Sequence, residues 1–162
     1  MQCTKLLDAG CGAGFLTCVI ADRFPDKKIT AIDIDKDYIE YAKQKNNRKN
    51  IEYRTDNIFK LKELMNYDVV LCLEVLEHLQ EYRKALRILA GLTKKYIIVS
   101  VPNEPYFRMA NIMRLKYLSQ LGNTPDHVNN WTKKELIALL SEYGSLKQIK
   151  SSSVWNISVV EV

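Results

Sequence analysis

The chain of 162 residues carries a formal net charge of +5, and 47% of its residues are hydrophobic, which is enough to build the core of one domain. No apolar run approaches the roughly 18 residues that span a bilayer, and no secretory signal is visible, so we expect a cytoplasmic protein without a transmembrane segment. The cationic run at 43–50 has no interleaved aromatics, which favours a solvated helix end over a nucleic-acid site. The cysteines lack the spacing of zinc ligands or of a disulfide framework: they are Cys3, Cys11, Cys18 and Cys72.

A glycine-rich segment, Leu6 to Thr17, is the most informative part of the chain. A short apolar run ends at Asp8, and glycines follow at alternate positions before a helical pattern begins. Glycine lets bare backbone and a helix N-terminus approach a ligand. The dinucleotide fingerprint G-x-G-x-x-G would place its last glycine where Phe15 stands, and a pyrophosphate would not favour the Asp8 carboxylate. The segment therefore predicts a ligand with a cationic end, such as the amino group of a methionine moiety.

Two further acids follow the next predicted strands. The run 28–33 ends in Asp33, which lies 19 residues after Gly14 (33 minus 14), close to the offset of about 20 at which an acid meets ribose hydroxyls. We expect Asp35 to cap the following helix instead. The strand 51–55 precedes Asp56, for which a turn role and a ligand-binding role are both open.

Strands and helices alternate along the chain. The patterns predict strands at 3–8, 28–33, 51–55, 67–73 and 96–101, and helices at 14–24, 36–46, 80–92 and 133–143, the last with Thr132 and Glu135 as a capping box. Two closing strands, 146–151 and 155–161, have only a turn at 151–153 between them, so they should be antiparallel. This order predicts an α/β fold with a doubly wound parallel sheet.

The G-x-G-x-G loop behind an acid resembles motif I of the class I S-adenosylmethionine (SAM)-dependent methyltransferases. The segment Glu74-Val75-Leu76-Glu77-His78-Leu79 resembles the end of the fourth strand in type 11 methyltransferases, the kind found in ubiquinone and menaquinone biosynthesis. The resemblance covers nearly the whole chain and implies a Rossmann-like, doubly wound, seven-stranded sheet with an antiparallel last strand. It implies SAM as cofactor, with Asp56 accepting from the adenine amine, and the following binding set: Asp8, Gly10, Gly12, Gly14, Asp33, Asp56, Asn57 and Glu74. Such proteins usually carry helices before motif I, so we expect a single domain, 1–162, in a shortened form.

The turn after the fourth strand contains Glu74, Glu77 and His78, and three roles are open for it. It could be a structural turn bonded to backbone. His78 could act as a catalytic base, because imidazole titrates near neutrality. Together with His127, the turn would resemble the magnesium-binding set of small-RNA 2′-O-methyltransferases. We expect no metal, since the same string occurs in metal-independent relatives, and we take His78 as the catalytic candidate.

Residues 103–127 are expected to form a cap on the substrate side of the domain. From Met109 to Leu121 the pattern predicts an amphipathic helix after a proline turn, with Ala110, Met113 and Tyr117 in its apolar stripe. A cap over the active site, a homodimer interface and a membrane-surface helix are all compatible with this stripe.

The function that these features imply is methyl transfer from SAM to a small-molecule acceptor such as a lipid, a quinone precursor or a sugar. An RNA or protein methyltransferase is an alternative, although the chain has neither a basic aromatic groove nor an N-P-P-Y-like tetrapeptide after the fourth strand. A SAM-binding module without catalytic activity is the third hypothesis.

Overall fold

The computed structural model describes residues 3–62, 67–117, 120–121, 123–152 and 154–162. Its strands are β1 (Lys5–Ala9), β2 (Lys28–Asp33), β3 (Ile51–Thr55), β4 (Tyr67–Leu73), β5 (Thr93–Pro102), β6 (Ser145–Ser151) and β7 (Trp155–Glu161). Its α-helices are α1 (Phe15–Arg23), α2 (Lys36–Lys45), α3 (Tyr82–Leu92), α4 (Tyr106–Met113) and α5 (Lys133–Leu140). Short 3₁₀ helices at Ile58–Lys60 and Leu76–His78 follow β3 and β4.

The strands form one seven-stranded sheet in the order β3-β2-β1-β4-β5-β7-β6. The first five strands pair in parallel, whereas β7 runs antiparallel to both β5 and β6. This arrangement confirms the predicted doubly wound sheet with an antiparallel last strand. The chain winds outward in one direction from β1 and in the other from β4, so the carboxyl ends of these two strands flank a crevice, the usual ligand position in such sheets.

Alternate strand residues supply two apolar layers, one on each face of the sheet. On one face, Leu7 and Val70 pack with Leu86 of α3, and all three are fully buried. On the other face, Leu6 packs with Ala21 of α1. Burial of a leucine side chain stabilises the fold by about 1.5–3 kcal/mol. The two layers hold the strand ends in place beneath the site.

Two helix caps predicted from the sequence are confirmed. The Asp35 carboxylate accepts hydrogen bonds from the backbone N–H groups of Asp37 at 2.8 Å and Tyr38 at 3.3 Å. Thr132 and Glu135 form a reciprocal capping box at the start of α5. A cap of this kind contributes about 1 kcal/mol, so both helices begin where the sequence places them.

The cap helix differs from the prediction. It covers Tyr106–Met113 and not 109–121, because Leu115 and Tyr117 adopt positive φ angles of 55° and 53° that break the helical path. Residues 118, 119 and 122 of this segment, like Ser153 of the predicted closing turn, lie outside the described residues. Among the residues described, no helix is long and apolar enough to cross a bilayer.

Candidate cofactor and active site

The three glycines between β1 and α1 all have positive φ, but each is required for a different reason. A Cβ on Gly10 would lie 2.3 Å from a Val75 methyl group, and one on Gly14 would lie 2.5 Å from the Tyr53 hydroxyl oxygen. A Cβ on Gly12 would meet no atom within 4 Å. Gly10 and Gly14 therefore allow close internal packing, whereas Gly12 presents bare backbone to open space.

Asp33, at the end of β2, braces this loop. One carboxylate oxygen accepts the Gly12 N–H at 2.8 Å, and the other accepts the Asp35 N–H at 2.9 Å. The Ile32 carbonyl also accepts the backbone N–H groups of Gly10 and Cys11. These bonds fix the carboxylate relative to the loop, as a ligand-binding acid requires.

Asp8, the acid before the first glycine, is buried beneath the loop and not in the wall of the crevice. Its carboxylate accepts the Thr17 hydroxyl at 2.6 Å, and its side chain is almost fully removed from solvent. Burial raises the pKa of Asp8 to about 6, against the weaker opposing effect of the Thr17 hydrogen bond. Asp8 therefore keeps its proton to a higher pH than an ordinary aspartate and is mostly ionised only from about pH 7 upward.

A cavity of about 430 Å³ opens at the carboxyl ends of the strands. It brings together seven of the residues singled out from the sequence: Gly10, Gly12, Asp33, Asp56, Asn57, Glu74 and His78. Asp8 and Gly14 do not line it. The cavity also has apolar walls that the sequence analysis missed, formed by Ile34, Tyr38, Phe59 and Leu79. Ile34 stands between the strand-end acid Asp33 and the helix-capping Asp35, a signal that could have identified it.

Asp56 and Asn57 form the cavity wall after β3. The Asp56 carboxylate accepts the Asn57 N–H at 2.7 Å and lies 3.5 Å from the Arg54 guanidinium. The Asn57 side-chain oxygen accepts the Phe59 N–H at 2.9 Å and so caps the 3₁₀ helix Ile58–Lys60. Asn57 therefore orders the turn that carries Phe59.

Two carboxyl groups follow β4: Glu74 lines the cavity, whereas Glu77 does not. Glu74 has a positive φ of 58°, a conformation that non-glycine residues rarely adopt, and accepts the Ser100 hydroxyl. Glu77 is fully buried, and neither of its oxygens has a hydrogen-bond donor among the described residues. Burial, reinforced by the Glu74 carboxylate, raises the pKa of Glu77 to about 8. A buried acid without a donor among the described residues is a candidate for a functional role.

The His78 imidazole lies between this turn and the cap. Its Nδ1 is 3.1 Å from the Asp126 carbonyl oxygen and 3.3 Å from the Asp126 carboxylate. The His127 ring packs edge-on against it at 4.9 Å between centroids, and Phe107 of α4 stacks on His127 at 5.5 Å. Burial, aided by His78, lowers the pKa of His127. The cap thus delivers a second imidazole to the site.

Hydrogen bonds attach residues 126–129, the returning limb of the cap, to the turn after β4. The Glu77 carbonyl accepts the N–H groups of Val128 at 2.9 Å and Asn129 at 3.1 Å. The Asn129 side-chain amide donates to the carbonyls of Leu76 at 3.1 Å and Leu79 at 2.7 Å. The positions of His78 and His127 are therefore set together. No local sequence pattern signalled this contact.

A glycine loop and a strand-end acid on a doubly wound sheet define a nucleotide-cofactor-binding α/β domain. The sequence is more specific: residues 2–153 match a protein family described as "Methyltransferase domain", and the chain belongs to this family. Membership confirms the prediction of a methyltransferase domain. The role of each individual site residue stays a prediction.

Similar proteins agree with this assignment. The ubiquinone biosynthesis O-methyltransferase of Rickettsia canadensis is 30% identical in an alignment 158 residues long, which covers 90% of this chain and 64% of that protein. The malonyl-(acyl-carrier protein) O-methyltransferase of Acetivibrio thermocellus is 44% identical over 66 residues, 41% of this chain and 23% of that protein. This chain therefore spans less than two thirds of the length of either relative.

A solved structure shows the same fold. The crystal structure of magnesium protoporphyrin IX methyltransferase from Synechocystis PCC 6803 with bound SAH matches with a TM-score of 0.75 at 22% identity. The match covers 96% of this chain and 73% of that one. The predicted class I methyltransferase fold is confirmed.

Proposed function

We propose that this chain binds SAM in the cavity beside the glycine loop and transfers its methyl group to a small-molecule acceptor. One observation carries the proposal: bare Gly12, the Asp33 carboxylate and the Glu74–His78 turn face a single cavity. The names of the two relatives, which concern ubiquinone biosynthesis and a malonyl carrier, support a small acceptor. We propose a lipid, quinone-type or sugar molecule.

The residues present fit SAM. A carboxylate offers about four lone-pair positions, and the two backbone bonds to Asp33 leave about two for the hydroxyls of a ribose. The apolar walls at Ile34 and Phe59 suit an adenine ring, with Asp56 near its amino group. Open space beside Gly12 admits the methionine portion toward the α1 N-terminus.

The protein's part in the reaction is mainly positioning. SAM, when bound, supplies a methyl group that is already activated on a sulfonium. Contact of His78 Nδ1 with the Asp126 carbonyl favours the tautomer in which Nε2 carries the basic lone pair. His78 would then accept the proton of an acceptor hydroxyl at Nε2, with the Asp126 carboxylate stabilising the imidazolium. Such a base contributes about 10²–10⁴-fold to a rate.

Binding and transfer are measured separately to test the proposal. Calorimetry with S-adenosylhomocysteine should detect binding, and labelled SAM should transfer its methyl group into the lipid or small-metabolite fraction of a cell extract. His78→Gln should retain binding while transfer falls about 100-fold or more. The exposed control Glu81→Gln should retain both binding and transfer. Binding without transfer to any fraction would identify a SAM-binding module. Label in RNA or protein would replace the proposed acceptor class.

A second candidate function, cation-assisted transfer, is favoured by the cluster of Glu77, His78 and His127. One potential ligand atom of each residue lies within 4.8 Å of the others. Among the described residues, the Glu77 oxygens and His127 Nδ1 lack hydrogen-bond partners. One carboxylate and two imidazoles suit a divalent transition metal. A cation here would neutralise Glu77 and could polarise an acceptor oxygen.

Metal binding distinguishes this candidate from metal-free transfer, which stays the prediction from the sequence. Titration with Mn²⁺, followed by electron paramagnetic resonance, measures the site without any acceptor. Stoichiometric binding that Glu77→Gln and His127→Gln abolish, but Glu81→Gln preserves, would establish a cation site. No binding, with activity within about twofold of the untreated value after exhaustive chelation, would support the metal-free mechanism.

A further inference from the structure

The outer side of the cap is apolar yet exposed. This cap surface consists of Tyr106, Met109, Ile112, Met113, Leu115 and Tyr117. Tyr106, Met109 and Met113 share one face of α4, since they are spaced three and four residues apart. Met113 is 83% exposed and Leu115 is 79% exposed. Several large apolar side chains exposed on one short segment are typical of an interaction site.

The backbone after α4 holds these side chains outward. Residues 112–117 are all exposed. Leu115 and Tyr117 adopt φ angles of 55° and 53°, which bulky side chains disfavour. Burial does not compensate this strain at Leu115, whose side chain is mostly exposed. Strained residues that gain no packing point to a functional segment.

The charge of the segment indicates what it contacts. Between Pro105 and Pro125 the sequence has no Asp or Glu but contains Arg108, Arg114 and Lys116. Arg108 donates to the Leu121 carbonyl at 3.0 Å. Arg114 and Lys116 alternate with Met113 and Leu115 at the exposed tip.

Cations interleaved with flexible apolar side chains match the boundary between anionic headgroups and acyl chains of a bilayer. A second copy of the chain would bring the same cations together, and like charges oppose that contact. An RNA strand would stack bases on Tyr106 and Tyr117, but it would leave Met113 and Leu115, the most exposed side chains of the cap surface, without an apolar partner.

We propose that the cap surface docks this protein on an anionic lipid bilayer. Met113 and Leu115 enter the acyl boundary, while Arg114 and Lys116 contact the headgroups. The surface is close to the site, since α4 carries Phe107, whose ring stacks on His127. Docking therefore brings an acceptor dissolved in the bilayer toward the cavity. Membrane binding itself does not depend on the proposed methyl transfer.

Vesicle co-sedimentation measures binding of the protein to a lipid bilayer directly. We expect the protein to bind vesicles containing about one third phosphatidylglycerol, to release them at high salt, and to ignore pure phosphatidylcholine. Arg114→Gln/Lys116→Gln should lower the partition coefficient about 30-fold, because each cation contributes about fivefold. Met113→Ser/Leu115→Ser should lower it at least about tenfold. All four side chains are exposed, so both variants should fold.

Matched controls lie on other surfaces. Lys43→Gln/Lys45→Gln removes the same charge from the end of α2, and Val19→Ser/Phe24→Ser removes exposed apolar side chains near α1. Both controls should bind like the unmodified protein. Absence of binding to anionic vesicles, or equal loss in control and cap variants, overturns the proposal.

Two other results would also overturn it. Binding of single-stranded RNA that depends on the cap surface, without vesicle binding, would assign the surface to RNA. A dimer seen by sedimentation velocity and lost in the cap variants, again without vesicle binding, would assign it to a second copy of the chain.

Discussion

Asp33 both braces the glycine loop and faces the cavity, so Asp33→Ala tests the cofactor assignment and the local architecture together. The variant deletes the acceptors of the Gly12 and Asp35 N–H groups, at 2.8 and 2.9 Å. A hydrogen bond to a charged group contributes about 1.5–3 kcal/mol, and partial solvent access reduces that value. We expect a loss of about 2–3 kcal/mol in the free energy of unfolding, or roughly 4–12 °C in Tm for a domain of this size.

The lone pairs of Asp33 that accept no backbone N–H group determine the expected effect on ligand affinity. If the ribose hydroxyls bind Asp33, Asp33→Ala removes these contacts, and affinity for S-adenosylhomocysteine should fall at least about tenfold, equivalent to about 1.4 kcal/mol. Calorimetry at a temperature well below the variant's Tm measures it, with circular dichroism to verify the fold.

Asp35→Ala is the matched control, because Asp35 is the next acid along the chain, two residues after Asp33, and does not line the cavity. It removes the N-cap of α2, at about 1 kcal/mol, and should leave affinity within about twofold. Unchanged affinity in Asp33→Ala would refute the ribose assignment. Equal losses in both variants would show that affinity depends on loop stability and not on the Asp33 contact.

Three further predictions concern stability and exchange. Gly14→Ala should lower the free energy of unfolding by about 2 kcal/mol, because the φ of Gly14 is 77° and an added Cβ would lie 2.5 Å from the Tyr53 oxygen. Gly91→Ala, whose Cβ would meet no atom within 4 Å, should be neutral or stabilising by about 0.5–1 kcal/mol. Urea denaturation that gives the reverse order of stability would contradict this prediction. Because the pKa of Asp8 is raised from 3.8 to about 6, its contribution to stability is full below about pH 4 and is lost as the pH rises through 6. Asp8→Asn should flatten this dependence of the unfolding free energy on pH and add up to about 3 kcal/mol at pH 7, yet weaken SAM binding. An unchanged pH dependence would refute the raised pKa of Asp8. Amide hydrogen exchange in α4 should be fast in the free protein and slow when S-adenosylhomocysteine binds, whereas protection equal to that of β4 without ligand would show that α4 is part of the core.

The strands and most helices could be predicted because their signals are local. The apolar run Tyr67–Leu73 became β4 with the same bounds, and Asp35 became the cap of α2. The end of α4 could not be predicted in this way. The backbone leaves the helical path at Leu115 and Tyr117, and neither is a glycine or a proline, the residues that usually indicate such a change.

The site was predicted as far as it depends on strand ends. Asp33 and Glu74 stand at the ends of β2 and β4, so the parallel sheet alone brings them to one edge. The contact of Gly10 with Val75 and the bond of Asp8 to Thr17 depend on tertiary packing. Complete burial of Glu77 follows from the cap folding over it, which periodicity does not encode.

Asn129 attaches one end of the cap to the turn after β4, so the two parts of the cap should tolerate sequence variation differently. Residues 126–129 are fixed to the turn after β4, so a change there would displace His78 and His127 as well. The exposed residues 112–117 lie outside this fastening. Exchange of residues 112–117 among relatives would change the outer surface of the cap without moving His78 or His127. Diversification of such a domain is therefore expected to concentrate in the outer cap, with the turn after β4 inherited intact.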